Sequence, residues 1–327
     1  MRSFLPLFAF AITVTLLALL ERTKVLENIR DVPNHRSLHT RPIPRIGGIG
    51  LWAGASIGLI VLTQADLLLL IVPGILLTTI SFIDDARGLP AWARFSAHFC
   101  TAALFVVPAY GPSLSISAQI LLVVAIVWMI NLYNFMDGAD GLAGGMTVIG
   151  FSVYGIGELL GGNSDLAIFD FCIVTAAAGF LLYNLHPAKI FLGDAGAIPL
   201  GFAAGSLGVF GWSRHTWPFW FPILAFSPFI VDATLTLIKR CSRRERIWEA
   251  HREHYYQRIV RMGWGHRRTA MAEYVLMICV GSTALAGLHW TWPMQLMLFF
   301  FWASVYLGLA FLLDRAWRRF QIVESLK

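Results

Sequence analysis

Five aspartates give the first chemical hint. Asp84, Asp85, Asp137, Asp140 and Asp194 fall in three short segments, each beside a long apolar run. Carboxylates so placed are costly next to hydrocarbon and ordinarily face a bundle interior or a water-filled cavity. In Ser81-Phe82-Ile83-Asp84-Asp85-Ala86-Arg87 two adjacent acids repel unless a cation is near, and hard divalent cations such as Mg2+ take such oxygen ligands. The plainer account is a helix end meeting water, with Arg87 as a surface partner. Asn131, Asn134, Asp137 and Asp140 recur at every third position, so neighbours in the series share a side of a helical turn. Gly138 and Gly141 permit close approach or a break there. Capping of the next helix by Asp140 would explain one residue of the four. Asp194, between Gly193 and Gly196 at the start of an apolar run, suits either an N-cap or a metal ligand whose backbone lies open to phosphate.

Two basic segments accompany the acids. Between Lys239 and Arg268, the residues His251, His254, Arg258 and Arg261 stand at offsets 0, 3, 7 and 10, which predicts one face of an α-helix. Arg243, Arg244 and Arg246 are accounted for by membrane topology and anionic lipid, whereas the one-sided stripe predicts an anionic ligand. His251-x-x-His254 lacks the His-Glu-x-x-His spacing of a zinc protease. The second segment runs from Asn34 through Arg36, Arg41 and Arg45 to Gly47-Gly48, where prolines stiffen the loop and glycines would let backbone amides approach a ligand. Gly48-x-Gly50 has no strand before it and is no dinucleotide fingerprint.

The elements that must position these groups follow from composition. Of 327 residues 57% are apolar and 13% charged, against about half and a quarter in soluble domains. Because the apolar residues form long runs, a disordered chain, a disulfide scaffold and a two-domain soluble enzyme are excluded. Cys100, Cys172, Cys241 and Cys279 have no close pair, so neither a zinc site nor a disulfide framework is expected. A helix needs about 20 apolar residues to cross a membrane. Eleven runs read as spans, at 3–20, 46–62, 67–83, 92–109, 116–131, 142–160, 166–184, 195–212, 218–238, 271–289 and 293–313. The first is expected to remain as a helix rather than serve as a secretory signal, since Glu21-Arg22-Thr23-Lys24 offers no small-residue cleavage site. The predicted fold is all-α, a polytopic membrane helical bundle of about 11 transmembrane helices, with residues 1–327 forming a single domain. With the N-terminus outside and the C-terminus cytoplasmic, the inner segments 21–45, 84–94, 131–141, 185–194, 239–270 and 314–327 hold 23 of the 25 Lys and Arg. Only Arg2 and Arg214 remain outside, so the +6 net charge is topogenic and no nucleic-acid partner is expected.

Acids suited to Mg2+, a cationic His/Arg face and open glycine loops predict a site for a magnesium-bound nucleotide diphosphate. Its place at the inner surface makes a membrane lipid the expected second substrate. The rival from another class is a secondary transporter of an anionic substrate, where buried acids and basic loops are also ordinary. Transporter sites sit near the midplane between repeated halves. Here Asp232 alone lies well inside a run, where pairing with a neighbouring helix accounts for it as well as function does, and no repeat is evident.

As a set, these motifs resemble the polyprenyl-phosphate N-acetylhexosamine-1-phosphate transferases of glycosyltransferase family 4. That superfamily includes phospho-N-acetylmuramoyl-pentapeptide transferase and the enzymes that start O-antigen and enterobacterial common antigen synthesis. The likeness runs from the Arg36 loop to His266. It implies transfer of a sugar 1-phosphate from a UDP-N-acetylamino sugar to undecaprenyl phosphate, releasing UMP and requiring Mg2+, with Mn2+ as a substitute. It further implies a bacterial cytoplasmic membrane enzyme with its site on the cytoplasmic face, and is compatible with a homodimer.

By this resemblance Asp84, Asp85, Asp137, His251 and His254 are catalytic, and Asp194 with Asp85 binds metal. Asn131, Asn134, Asp140, Asn184, Phe191, Arg36, Arg41 and Arg258 bind substrate, with Asn184, Phe191 and Asp140 holding the uracil. A phosphate monoester has a second pKa of about 6, so the lipid phosphate is already dianionic at neutral pH and direct in-line attack is expected without a strong base. Two departures stand out: Arg252-Glu253 separates the histidines where many relatives have a denser cluster, and Arg87 stands where several carry Lys. The wording of the Arg36 and His251 segments resembles the O-antigen-initiating branch, whose donors carry N-acetylglucosamine, N-acetylfucosamine or N-acetylquinovosamine.

Overall fold

In hydrocarbon every backbone polar group must be satisfied within the chain, and the long apolar runs accordingly become helices. The computed structural model describes residues 2–23, 29–33, 38, 41–111, 113–246, 249 and 251–326. Helix α1 (Leu5–Thr23) leads to a short antiparallel hairpin, β1 (Arg30–Asp31) and β2 (Ile43–Pro44), with Arg30 opposite Pro44. Then come α2 (Gly47–Ala55), prolonged by a 3-10 turn over Ser56–Val61, α3 (Gln64–Arg87), α4 (Ala91–Tyr110), α5 (Ile116–Phe135), α6 (Leu142–Leu160) and α7 (Ser164–Asn184). The chain ends with α8 (Asp194–Ser213), α9 (Trp220–Ala225), α10 (Ser227–Ser242), α11 (Tyr255–Ile259), α12 (Gly265–Gly287) and α13 (Trp292–Ser325).

Among the described residues eight helices are long and apolar enough to cross a membrane, against the eleven spans expected. The other three predicted runs depart for local reasons. The run at 46–62 is a short α-helix that tightens into the 3-10 turn, and α4 carries Arg94 and His98 in its first half. The run at 218–238 is broken at Phe226, where α9 ends and α10 begins with Pro228 near its start. The all-α reading stands, and the chain is a multi-pass membrane protein.

Among the eight described spans α8 is the most enclosed, and it packs against α3 and α5. Its position decides where chemistry can sit. Helices α3 and α8 run antiparallel: Asp66 near the start of α3 pairs with Arg214 just after α8, while Asp85 near the end of α3 accepts a hydrogen bond from Ala195 N–H at the start of α8. The buried aromatic cluster of Tyr154, Trp217, Phe221 and Phe226 fills the space between α6 and α9. The polar end at Asp85 and Asp194 thus rests on a rigid apolar body.

Candidate active site

The acids assemble at the junction of α3 and α8. Asp84 accepts hydrogen bonds from Leu89 N–H and from Arg94 Nη1 at 3.3 Å, so its partner is Arg94 rather than the expected Arg87, which is exposed. The Asp85 side chain is 1% exposed; one oxygen accepts from Ala195 N–H at 3.1 Å and the other from Arg45 at 3.4 Å. Arg45 also pairs with Asp31 at 2.8 Å. Asp194 opens α8, where unpaired N–H groups and the helix dipole favour a carboxylate, and it faces Asp85, Arg45, Asp84 and Arg94 electrostatically. Asp137, in the turn after α5, is half-buried and its side chain makes no hydrogen bond among the described residues. Burial, reinforced by Asp194 and Asp85, pushes Asp137 well above the ordinary carboxylate range, with Arg45 opposing.

Asp85, Asp137 and Asp194 thus repel one another, and Arg45, in contact with Asp85, offsets this in part. An all-oxygen set of this kind fits Mg2+, which takes one or two carboxylates and leaves its other positions to water and substrate phosphates. Among the described residues, a trio of ligand atoms within 4.8 Å of one another lies elsewhere, in Asp140, His186 and His266. Hydrogen bonds account for that grouping. His186 Nδ1 meets Asp140 Oδ2 at 2.7 Å, Ala188 N–H donates to the same oxygen at 3.2 Å, and His266 Nδ1 accepts from Asp140 N–H at 3.1 Å. The two imidazoles stack with centroids 5.3 Å apart. Asp140 does not cap α6; Gly141, at φ 79°, holds that position.

Asn184 ties this pocket together. Its amide oxygen accepts from Gly141 N–H at 2.9 Å and its amide nitrogen donates to Ile190 C=O at 2.9 Å. Both ends are thus engaged with backbone, and the residue holds the Asp140 loop to the Phe191 loop. Phe191 is half-buried, its N–H donating to Pro44 C=O and its own C=O accepting from Gly47 N–H, each at 2.9 Å. The Gly47 and Gly48 amides thus bond to the Phe191 and Leu192 carbonyls, where the sequence predicted contact with a ligand. A methyl group on Gly48 would collide with the Gly196 backbone, so glycine is needed to bring these loops together.

The histidine segment differs from its predicted form. Helix α11 starts at Tyr255, so His251, His254, Arg258 and Arg261 do not share one helical face. The start is set by Asp232, whose carboxylate accepts from Tyr255 N–H at 2.9 Å and Tyr256 N–H at 3.0 Å and meets His254 Nδ1 at 3.2 Å. His254 is 3% exposed and stacks on Phe135 at 5.9 Å, while Tyr256 donates its hydroxyl hydrogen to Phe135 C=O and packs on Gly138. The histidine therefore sits against the turn that carries Asp137. His251 lies 4.8 Å from His254 between ring centroids; burial, then His254 and Arg240, lowers its pKa to about 3, so it is neutral and not part of a cationic face.

Arg258 turns away from the expected anion: it donates to Asp314 at 3.1 Å and lies 3.5 Å from Glu253. Arg261 stacks over Trp317 at 4.7 Å. Asn131 donates to Val127 C=O at 2.7 Å beside His98, and Asn134 is half-buried one turn on. Arg41 is exposed on the hairpin, and Arg36 lies outside the described residues. Sequence reasoning missed Arg45, Arg94, His186 and His266, and left Asp232 undecided between structure and function. Arg45, His186 and His266 act on partners far along the chain, whereas Arg94 lies ten positions from Asp84.

Comparison with known proteins agrees with this arrangement. Residues 67–211 match the model of Glycosyl transferase family 4. The chain is 28% identical over 289 residues, 81% of each chain, to the "Probable undecaprenyl-phosphate N-acetylglucosaminyl 1-phosphate transferase" of Bacillus subtilis (strain 168). It is 27% identical to the decaprenyl-phosphate N-acetylglucosaminephosphotransferase of Mycolicibacterium smegmatis, covering 74% of this chain and 71% of that protein. It is 32% identical to the phospho-N-acetylmuramoyl-pentapeptide-transferase of Staphylococcus carnosus, covering 60% of this chain and 72% of that one. With the paired aspartates, the Asp137 turn, the Asp194 helix start and the histidine segment gathered at one end of the bundle, the chain belongs to glycosyl transferase family 4, the superfamily of polyprenyl-phosphate sugar-1-phosphate transferases.

Proposed function

We propose that this protein transfers an N-acetylamino-sugar 1-phosphate from a UDP-sugar to undecaprenyl phosphate, releasing UMP, at the cytoplasmic face of a bacterial inner membrane. The observation that carries the reading is the mutual electrostatic influence of Asp85, Asp137 and Asp194, with Arg45 on Asp85, beside the turn on which His254, paired with Asp232, packs. Asp85 and Asp194 would hold Mg2+ or Mn2+, with Asp137 beside them. When bound, the ion neutralises the pyrophosphate and stabilises charge on departing UMP.

The protein's own groups have distinct tasks. The Asp140 loop, joined to Phe191 through Asn184, forms the uridine side of the site. Asp232 fixes His254 through Nδ1, which leaves Nε2 to face the phosphates and donate a hydrogen bond when protonated. Arg45 and Arg94 limit repulsion among the acids. The acceptor phosphate, already dianionic, attacks in line; no aspartate is required to remove a proton. The sequence wording favours a role at the start of O-antigen synthesis within lipopolysaccharide assembly.

The test is UMP release by purified protein given Mg2+, undecaprenyl phosphate and a panel of UDP-N-acetylamino sugars. Release that depends on both lipid acceptor and cation is expected. Uptake of the nucleotide sugar into vesicles without UMP would overturn the reading in favour of a transporter, and an isolated phospho-enzyme on Asp84 or Asp85 would overturn direct attack.

A further inference from the structure

The final helix reaches the histidine segment from outside the acid cluster. At 34 residues α13 is much longer than a span requires, since about 20 residues cross the hydrocarbon. Its later turns carry Asp314 and Trp317 to α10 and α11. Asp314 accepts from Lys239 Nζ of α10 and, through its other oxygen, from Arg258 Nη1 of α11 at 3.1 Å. Lys239 also donates to the Tyr255 hydroxyl and sits 5.0 Å from that ring, and Arg258 lies 5.3 Å from the same ring. Trp317 underlies both Arg258 and Arg261, at 5.8 and 4.7 Å. Tyr255 is thus held by two cations that share one carboxylate, and its N–H belongs to the Asp232 carboxylate that holds His254. Arg258 N–H in turn donates to His254 C=O at 3.0 Å.

We propose that Asp314 is a positioning residue for the transfer reaction, holding the His254 segment on Asp232 through Lys239 and Arg258. The inference rests on the transferase reading above. The Arg258 side chain is 5% exposed, and its Nε has no hydrogen-bond partner among the described residues. Removal of the Asp314 charge leaves it only Glu253 at 3.5 Å. A buried cation that loses its closer anion is destabilised where it sits, and the residue a shift would carry with it is His254, one helical turn away. Displacement of a reacting group by about 1 Å costs on the order of a hundredfold in rate.

The experiment measures UMP release by the full-length chain in lipid nanodiscs at varied donor concentration. Asp314→Asn is expected to lower kcat by about ten- to a hundredfold while donor KM stays within about twofold, and Asp314→Glu recovers most of the loss. Arg258→Gln reproduces the Asn phenotype, and Asp314→Asn adds little in a His254→Gln background. Wild-type kcat in Asp314→Asn, an effect on KM alone, or losses that multiply with His254→Gln would overturn the proposal. If Asp314→Asn does not purify folded, Trp317→Leu takes its place: a lowered kcat supports the proposal and wild-type kcat refutes it. Full activity of His254→Gln would overturn this inference and leave the transferase reading standing, whereas no UMP from the wild type with any donor removes both.

Discussion

The two polar ends of the α3–α8 pair treat their acids in opposite ways. At one end two carboxylates each meet a cation: Asp66 pairs with Arg214, and Asp165 with Arg2 at 3.2 Å. At the other, Asp85, Asp137 and Asp194 repel one another, Arg45 is divided between Asp85 and Asp31, and the Asp137 side chain has no hydrogen-bond partner among the described residues. Matched charges lock helices together, whereas unmatched ones leave capacity for a ligand. The unbalanced end is therefore expected to control turnover and the balanced end to control stability.

Substitution at the unbalanced end gives the largest effect. Asp194→Asn should lower kcat by about a hundredfold or more with little change in thermal stability; full activity would remove Asp194 from the metal site. Arg45→Gln is smaller, about tenfold in kcat, and should tighten the apparent Mg2+ affinity because the acids lose their shared cation; weaker Mg2+ dependence would break the account. At the balanced end, Asp66→Asn should cost about 1–2 kcal/mol of stability for a partly exposed pair and leave donor KM unchanged. A kinetic effect there would erase the distinction between the ends.

The smallest effect is a pH dependence. His251 has a folded pKa of about 3 against an ordinary 6.5, so between those values the unfolded chain binds a proton that the folded one refuses. Stability contributed by the neutral ring is present above pH 6.5 and is lost as pH falls toward 3. A melting-temperature series on His251→Gln should be flatter over that window, and parallel curves would contradict a neutral, half-buried His251.

Much of this contrast was legible in the sequence, and the reason differs from residue to residue. Asp84-Asp85, the Asn131 to Asp140 series and Asp194 announced themselves because acids are rare beside apolar runs, and the helical periods of those runs were equally plain. The partners were hidden, since Arg45 and Asp85 meet across 40 positions and Asp140 and His266 across 126. Arg258 was misjudged because regular spacing assumes a continuous helix, and the start of α11 is imposed by Asp232, which lies 23 positions before Tyr255. Hydropathy foresaw the run at 218–238 but not its break at Phe226, which depends on how the aromatic side chains of α6 and α9 pack.

The bare backbone contact between Gly48 and Gly196 has an outcome of its own. It couples the hairpin arginine and the first turn of α8 into one mechanical block, with no side chain between them to absorb a shift. An error introduced in α2 would be read out as a misplaced acid rather than as a loosened helix, so tolerance to mutation at this seam should be governed by the chemistry and not by the fold.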